Sequence, residues 1–171
     1  MTRLRHEGKD SATGEDAWTL HFVEVEANIL SGLPEQFQVL LANPDSNRRV
    51  IERLFPGSYE DPEEEALNRQ LLGDSLLAAR NEMLTEIREE LDRGQATDDG
   101  IELTLNRESI DLWLRFMNDV RIIIATDLGI DENINDEDVA DPSGPDAPKH
   151  ALLEYLSGVE AILVEAVSRV S

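Results

Sequence analysis

The run Asp131-Glu132-Asn133-Ile134-Asn135-Asp136-Glu137-Asp138 has the oxygen-rich alternation of a calcium loop, with Asp131, Asn133 and Asn135 at the first, third and fifth positions. Such a loop also needs a glycine at its sixth position for the sharp turn and a bidentate glutamate at its twelfth. Asp136 and Pro142 stand there instead, so the run reads as a solvated acidic linker. His6, His21 and His150 lie far apart on different predicted elements, and none shares the helical spacing that brings two imidazoles to one metal. They read as surface or strand histidines. The chain has no cysteine, which removes disulfides, thiolate nucleophiles and zinc–thiolate sites. No glycine-rich phosphate loop or nucleophile elbow occurs, and carboxylates are too abundant for a catalytic pair to stand out. No catalytic, cofactor-binding or metal-ligating residue is assigned.

Two other clusters hold residue types that recognise partners or lock a core. The first is Arg53-Leu54-Phe55-Pro56-Gly57-Ser58-Tyr59, an arginine and two aromatics around a proline turn, in a chain only 5% aromatic. Arg53, Phe55, Pro56 and Tyr59 form either a plug tying a loop to the core or a partner-binding loop, since arginine and aromatics anchor interfaces. The second is Trp113, Asn118, Asp119 and Arg121, read as a polar network around a core tryptophan. An arginine inside an apolar stripe must find an acceptor or reach water, because an unpaired buried charge is costly. Glu63, Glu64 or Glu65 on another helix are the suggested partners of Arg121.

The elements that position these clusters are mainly helical. Ile110, Leu114, Met117, Ile124 and Leu128 recur at helical spacing within Arg107–Ile130, with Trp113 and Val120 on the flank. Asn106 can cap this central helix, Glu108 suits its positive end, and Gly129 suits its C-terminal exit. Earlier, Trp18, Leu20 and Phe22 alternate as in a strand, and a helix from about Val23 is interrupted at Gly32 and Pro34. A short helix spans Arg48 to Phe55. Asp61-Pro62-Glu63-Glu64 starts a further helix, broken or kinked at Gly73-Asp74 and ended at Gly94. Ile101, Leu103 and Leu105 alternate as a second strand able to pair with the first. Leu152, Leu156, Val159, Leu163, Ala166 and Val170 mark a last helix that docks on the central one. The expected fold is all-α, a bundle of about five or six helices with a minor two-stranded β-ribbon. Residues 1–16 are a disordered polar tail, 17–130 the main helical domain, 131–148 an acidic linker and 149–171 the C-terminal helix.

The 171 residues carry a formal net charge of -22. That repels phosphate backbones and anionic membranes and favours a basic protein partner. No apolar run approaches the roughly 18 residues of a membrane helix, and the N-terminus has no secretory pattern, so a cytoplasmic location is expected. The apolar faces of the central and last helices could also pair two copies as a homodimer.

Arg53-Leu54-Phe55-Pro56 with Tyr59, Asp61-Pro62-Glu63, Arg69, Trp113-Leu114 with Asn118-Asp119 and Arg121, and Leu128-Gly129-Ile130 together resemble a family of small acidic actinobacterial proteins. That family was long a domain of unknown function. It is usually encoded near the ClpS adaptor and cysteine-biosynthesis genes, and is named for the oxidative-stress transcriptional regulator AosR. The resemblance covers roughly residues 18 to 170. It implies a non-enzymatic regulator that joins a stress-response sigma factor or RNA polymerase by protein contact rather than reading DNA unaided. The family's redox sensing is attributed to paired cysteines, which this chain lacks, and Ala125-Thr126-Asp127 replaces a more basic stretch. The alternatives are an accessory of ClpS/ClpP proteolysis and a metal-dependent enzyme.

Overall fold

The computed structural model describes residues 1–55, 62–130 and 144–170, and over 62–74 it describes the backbone of a helix alone. The elements are β1 (Arg3–Lys9), β2 (Asp16–Val23), α1 (Glu24–Ala42), α2 (Arg48–Leu54), α3 (Pro62–Asp92), β3 (Gln95–Ala96), β4 (Gly100–Leu105), α4 (Arg107–Asp127) and α5 (Ala147–Arg169).

The expected ribbon exists: β2 pairs antiparallel with β4, setting Trp18 opposite Leu105, Leu20 opposite Leu103 and Phe22 opposite Ile101. It is the centre of something larger. The described residues form a four-stranded antiparallel sheet in the order β1-β2-β4-β3, so the all-α expectation is corrected to a mixed fold of five helices and a sheet. The error began at the N-terminus. Residues 1–16, expected to be a disordered tail, hold β1 and its turn. An edge strand needs no two-faced alternation, because its backbone is satisfied by one neighbour and its side chains can stay in water. Leu4, opposite Leu20, packs on the core, and the His6 ring lies 5.4 Å from that of Trp18. The return to β2 is closed by the Gly14 N–H donating to the Asp10 carbonyl at 2.7 Å, with Gly14 at a φ of 72°.

Gly100, the first residue of β4, lies against the β2 backbone. A Cβ built there would stand 1.9 Å from the Phe22 carbonyl oxygen. Gly100→Ala is therefore expected to force β2 and β4 apart and to cost about 2 kcal/mol, read as a lowered midpoint in urea unfolding. An unchanged midpoint would mean that the two strands can part without loss.

Two expected helix breaks are absent. α1 runs through Pro34, whose ring leaves the Leu30 carbonyl without its helical donor. Leu30 and Phe37, both buried in the core on either side, hold the two halves together. α3 runs through Gly73 and Asp74. α4 follows its capping signals closely. Asn106 Oδ1 accepts from the Ser109 N–H at 2.8 Å. At the other end Gly129, at φ 72°, donates to Thr126 O, and Ile130 donates to Ala125 O, the double bond of a Schellman exit.

α4 is the hub, in contact with α2, α3, α5 and β4. Its buried side chains include Ile110, Leu112, Trp113, Phe116, Met117 and Val120, so Trp113 is at the centre of the buried face, not on its flank. Packing on several sides widens the face beyond one stripe. The acidic linker and the rejected calcium loop fall mostly on 131–143, outside the described residues; Pro148 is the second residue of α5.

Candidate functional site

The two clusters that the sequence singles out meet along α4. Arg53, near the end of α2, donates from Nη1 to Thr126 Oγ1 at 3.0 Å, while Thr126 donates to the Ile122 carbonyl one turn back. Phe55, just beyond α2, lies under the guanidinium of Arg80 from α3, 5.1 Å from the ring centroid, within cation–π range. The same Arg80 reaches Asp119, with Nε 2.6 Å from Oδ2. Phe55 and Asp119, 64 positions apart in sequence, are thus joined through one arginine that no sequence pattern marked. Pro56 and Tyr59 lie outside the described residues, as does the rest of that loop.

Asp119 is 5% exposed. Burial pushes its carboxyl above the usual carboxylate range, and the pull of Arg80 and Arg115 does not offset it. The contact with Arg80 is close but poorly aimed: neither Arg80 Nε nor Asp119 Oδ2 makes a hydrogen bond among the described residues. The pair is therefore an ion contact in a poor solvent for charge, the regime where desolvation rivals attraction.

Two residues further on, Arg121 faces the other way and meets Glu160 of α5 at 2.8 Å. Its partner comes from another helix, as expected, but from α5. The side chains of Glu63, Glu64 and Glu65 lie outside the description. Trp113 is fully buried, 5.9 Å from both Phe22 and Phe116 between ring centroids, and its Nε1–H donates to Glu90 Oε2 at 2.7 Å. Asn118 is exposed. Of the eight residues singled out, Arg53, Phe55, Asp119 and Arg121 are tied into contacts between helices, Trp113 is core, and Asn118 points to solvent.

Sequence reasoning missed a second polar cluster, on the sheet. His21 is buried on the face of β2 opposite Trp18 and Leu20. Its Nδ1 is 3.5 Å from an Arg3 amine and its Nε2 is 2.9 Å from Asp99 Oδ1. An ionised carboxylate only accepts, so Nε2 carries the proton it gives to Asp99. That bond leads the causes that hold the Asp99 carboxyl below its ordinary value, with Thr97 adding to it. The cluster fastens β1 and the β3–β4 turn to β2. The sequence signal that could have found it is the histidine set among the alternating residues of β2, read above as a surface or strand histidine.

Among the described residues, no group of three or more histidine, aspartate or glutamate side chains is placed to hold a metal ion. Likewise, no described helix is long and apolar enough to cross a membrane. A family model described as a domain of unknown function (DUF2017) matches residues 1–167, from before β1 to near the end of α5. No curated protein and no solved structure matches the chain.

Proposed function

This chain belongs to the DUF2017 family, a domain of unknown function, and from that premise we propose a non-enzymatic regulator or adaptor of stress-response transcription that works in the cytoplasm by binding a sigma factor or RNA polymerase. The observation that carries the reading is charge and where it sits. The chain has a formal net charge of -22. Glu82, Glu86 and Glu89 follow one another along the exposed side of α3, and Glu108 and Asp111 stand exposed on the first turns of α4. A surface of that sign attracts a basic protein patch and repels a phosphate backbone. The resemblance of Arg53 to Ile130 to the oxidative-stress regulators supplies the class of partner. With no cysteine in the chain, the trigger is not a thiol switch within it.

The test is an affinity pull-down of the tagged chain from lysate of its own host, with and without oxidant and at two salt concentrations, read by mass spectrometry. The expected result is enrichment of a sigma factor or polymerase subunit, equal with and without oxidant, that falls as salt rises. Absence of both partners at low salt would overturn the reading.

A further inference from the structure

One face of α1 lies in water. Val25, Ile29 and Val39 are 64%, 44% and 58% exposed, three of the six large apolar residues in the open among the described ones. With Gly32 and Gln36 between them, they follow at steps of four, three, four and three residues. That spacing puts all five on one stripe of the helix, the seam of a two-helix contact. The other side of α1, with Ala27, Leu30, Phe37 and Leu41, is the one buried in the core. Folding of the single chain therefore does not account for the stripe.

Charge narrows what can cover it. The chain has a formal net charge of -22 and is 30% charged, yet the stripe carries no charge at all. α1 contains no lysine or arginine, and its exposed charges are Glu24 and Glu35, beside the stripe. A basic partner would leave its charges unmet on an uncharged apolar strip and lose their hydration. Such a partner is served by the Glu82, Glu86 and Glu89 side of α3 instead. A second copy of this chain carries the same net charge, so contact between two acidic surfaces is repulsive. The uncharged strip lets two copies touch, and each brings an apolar seam to bury.

We propose that two copies pair through α1, antiparallel, with the two-fold axis at Gly32. A closed two-fold pair uses the same patch on both copies. Val25 and Val39 each lie seven positions from Gly32, so Val25 of one copy meets Val39 of the other, and the reverse. A parallel pair would set Glu24 against Glu24 and Glu35 against Glu35. In the antiparallel pair Glu35 falls beside Asn28 of the other copy, whose amide can donate to it, and the two helix dipoles run head to tail. About four turns of one helix make a small interface, so the expected dissociation constant is on the order of 10 µM. The inference does not rest on the transcriptional reading, which uses the acidic side of α3 and the start of α4.

The experiment is sedimentation equilibrium of the full chain from about 1 to 500 µM, spanning that value, at two salt concentrations. The expected result is a monomer–dimer equilibrium that tightens as salt rises, because screening relieves the repulsion between copies. Ile29→Glu, at an exposed position, is expected to keep the melting temperature of the monomer and to weaken the dimer at least about tenfold. Because the chain has no cysteine, Gly32→Cys supplies a single thiol at the axis, where a Cβ meets only Gln36 Nε2, at 3.5 Å. Mild oxidation is expected to lock that variant into a disulfide-linked dimer, and to leave Glu86→Cys, with its thiol on the acidic side of α3, unlinked. The proposal is overturned by a monomer at every concentration, by a dimer that weakens as salt rises, or by Ile29→Glu dimerising as the wild type does. It is equally overturned if Gly32→Cys links no faster than Glu86→Cys. If the wild type is monomeric and folded Ile29→Glu loses a sigma factor or polymerase in the pull-down, the seam docks that partner and not a second copy.

Discussion

Asp119→Ala is expected to lower stability by about 3 kcal/mol, roughly 10 °C in melting temperature for a chain of this size. The substitution leaves the Arg80 guanidinium facing a cavity in a region where Asp119 itself is 5% exposed. The loss stays at the low end of the usual range because the Arg80 side chain keeps 27% of its surface in water, where the freed charge finds some solvent. Replacing both partners, as Arg80→Met with Asp119→Leu, is expected to restore most of that loss. The thioether keeps the contact with the Phe55 ring, and no charge is left buried.

The sign of the Asp119 shift gives a second, separate check. Its folded value lies above the ordinary one, so the fold favours the protonated form. The ionised carboxylate detracts from stability at neutral pH, and this cost is relieved as pH falls through the folded value towards the ordinary one. Wild type should therefore gain on Asp119→Asn as pH is lowered from neutral towards about 4. A double variant no more stable than Asp119→Ala, or a difference that moves the other way with pH, would mean that the pair is a net attraction that burial does not cancel. In either case the variants also address function. If the folded double variant loses its protein partner, Arg80 and Asp119 contribute to recognition as well as to the core.

What was legible in the sequence was whatever a local pattern dictates. The caps of α4 at Asn106 and Gly129 depend on a residue's own side chain or backbone freedom, and both are where the residues put them. β2 and β4 each bury one face, so Trp18, Leu20 and Phe22, then Leu103 and Leu105, show the alternation that registers them against each other. β1 is bounded on one side by water and satisfied by pairing alone, so Arg3 to Lys9 looks like a polar tail. Pro34 and Gly73 are breakers by local energetics, yet the helices continue through both positions. The candidate site shows the same division. That Arg121 needs an acid on another helix follows from its place in an apolar stripe; that the acid is Glu160 depends on how α5 lies across α4. Arg80, which joins Phe55 to Asp119, had no local signal at all, since one arginine on an exposed helix looks like any other.

Trp113→Ala is expected to have the largest effect of any single change, about 4 kcal/mol. The ring is fully buried, packs against Phe22 of the sheet and Phe116 of its own helix, and bonds through its indole nitrogen to Glu90 of α3. Its loss opens a cavity where sheet, α3 and α4 meet, the point on which the whole core converges. Trp113→Phe separates the two parts of that role. It keeps most of the ring volume and removes the N–H, and Glu90 is partly exposed and can turn to water, so the cost should be about 1 to 2 kcal/mol. Unfolding in urea measures both, and partner capture by the folded Trp113→Phe variant measures the rest. A tryptophan with no exposed surface in this fold cannot touch a partner unless the core opens. Capture should therefore be unchanged in the phenylalanine variant. If capture is lost while the unfolding midpoint falls only slightly, binding involves an opened form of α4, and the acidic exterior is not the whole of the recognition surface.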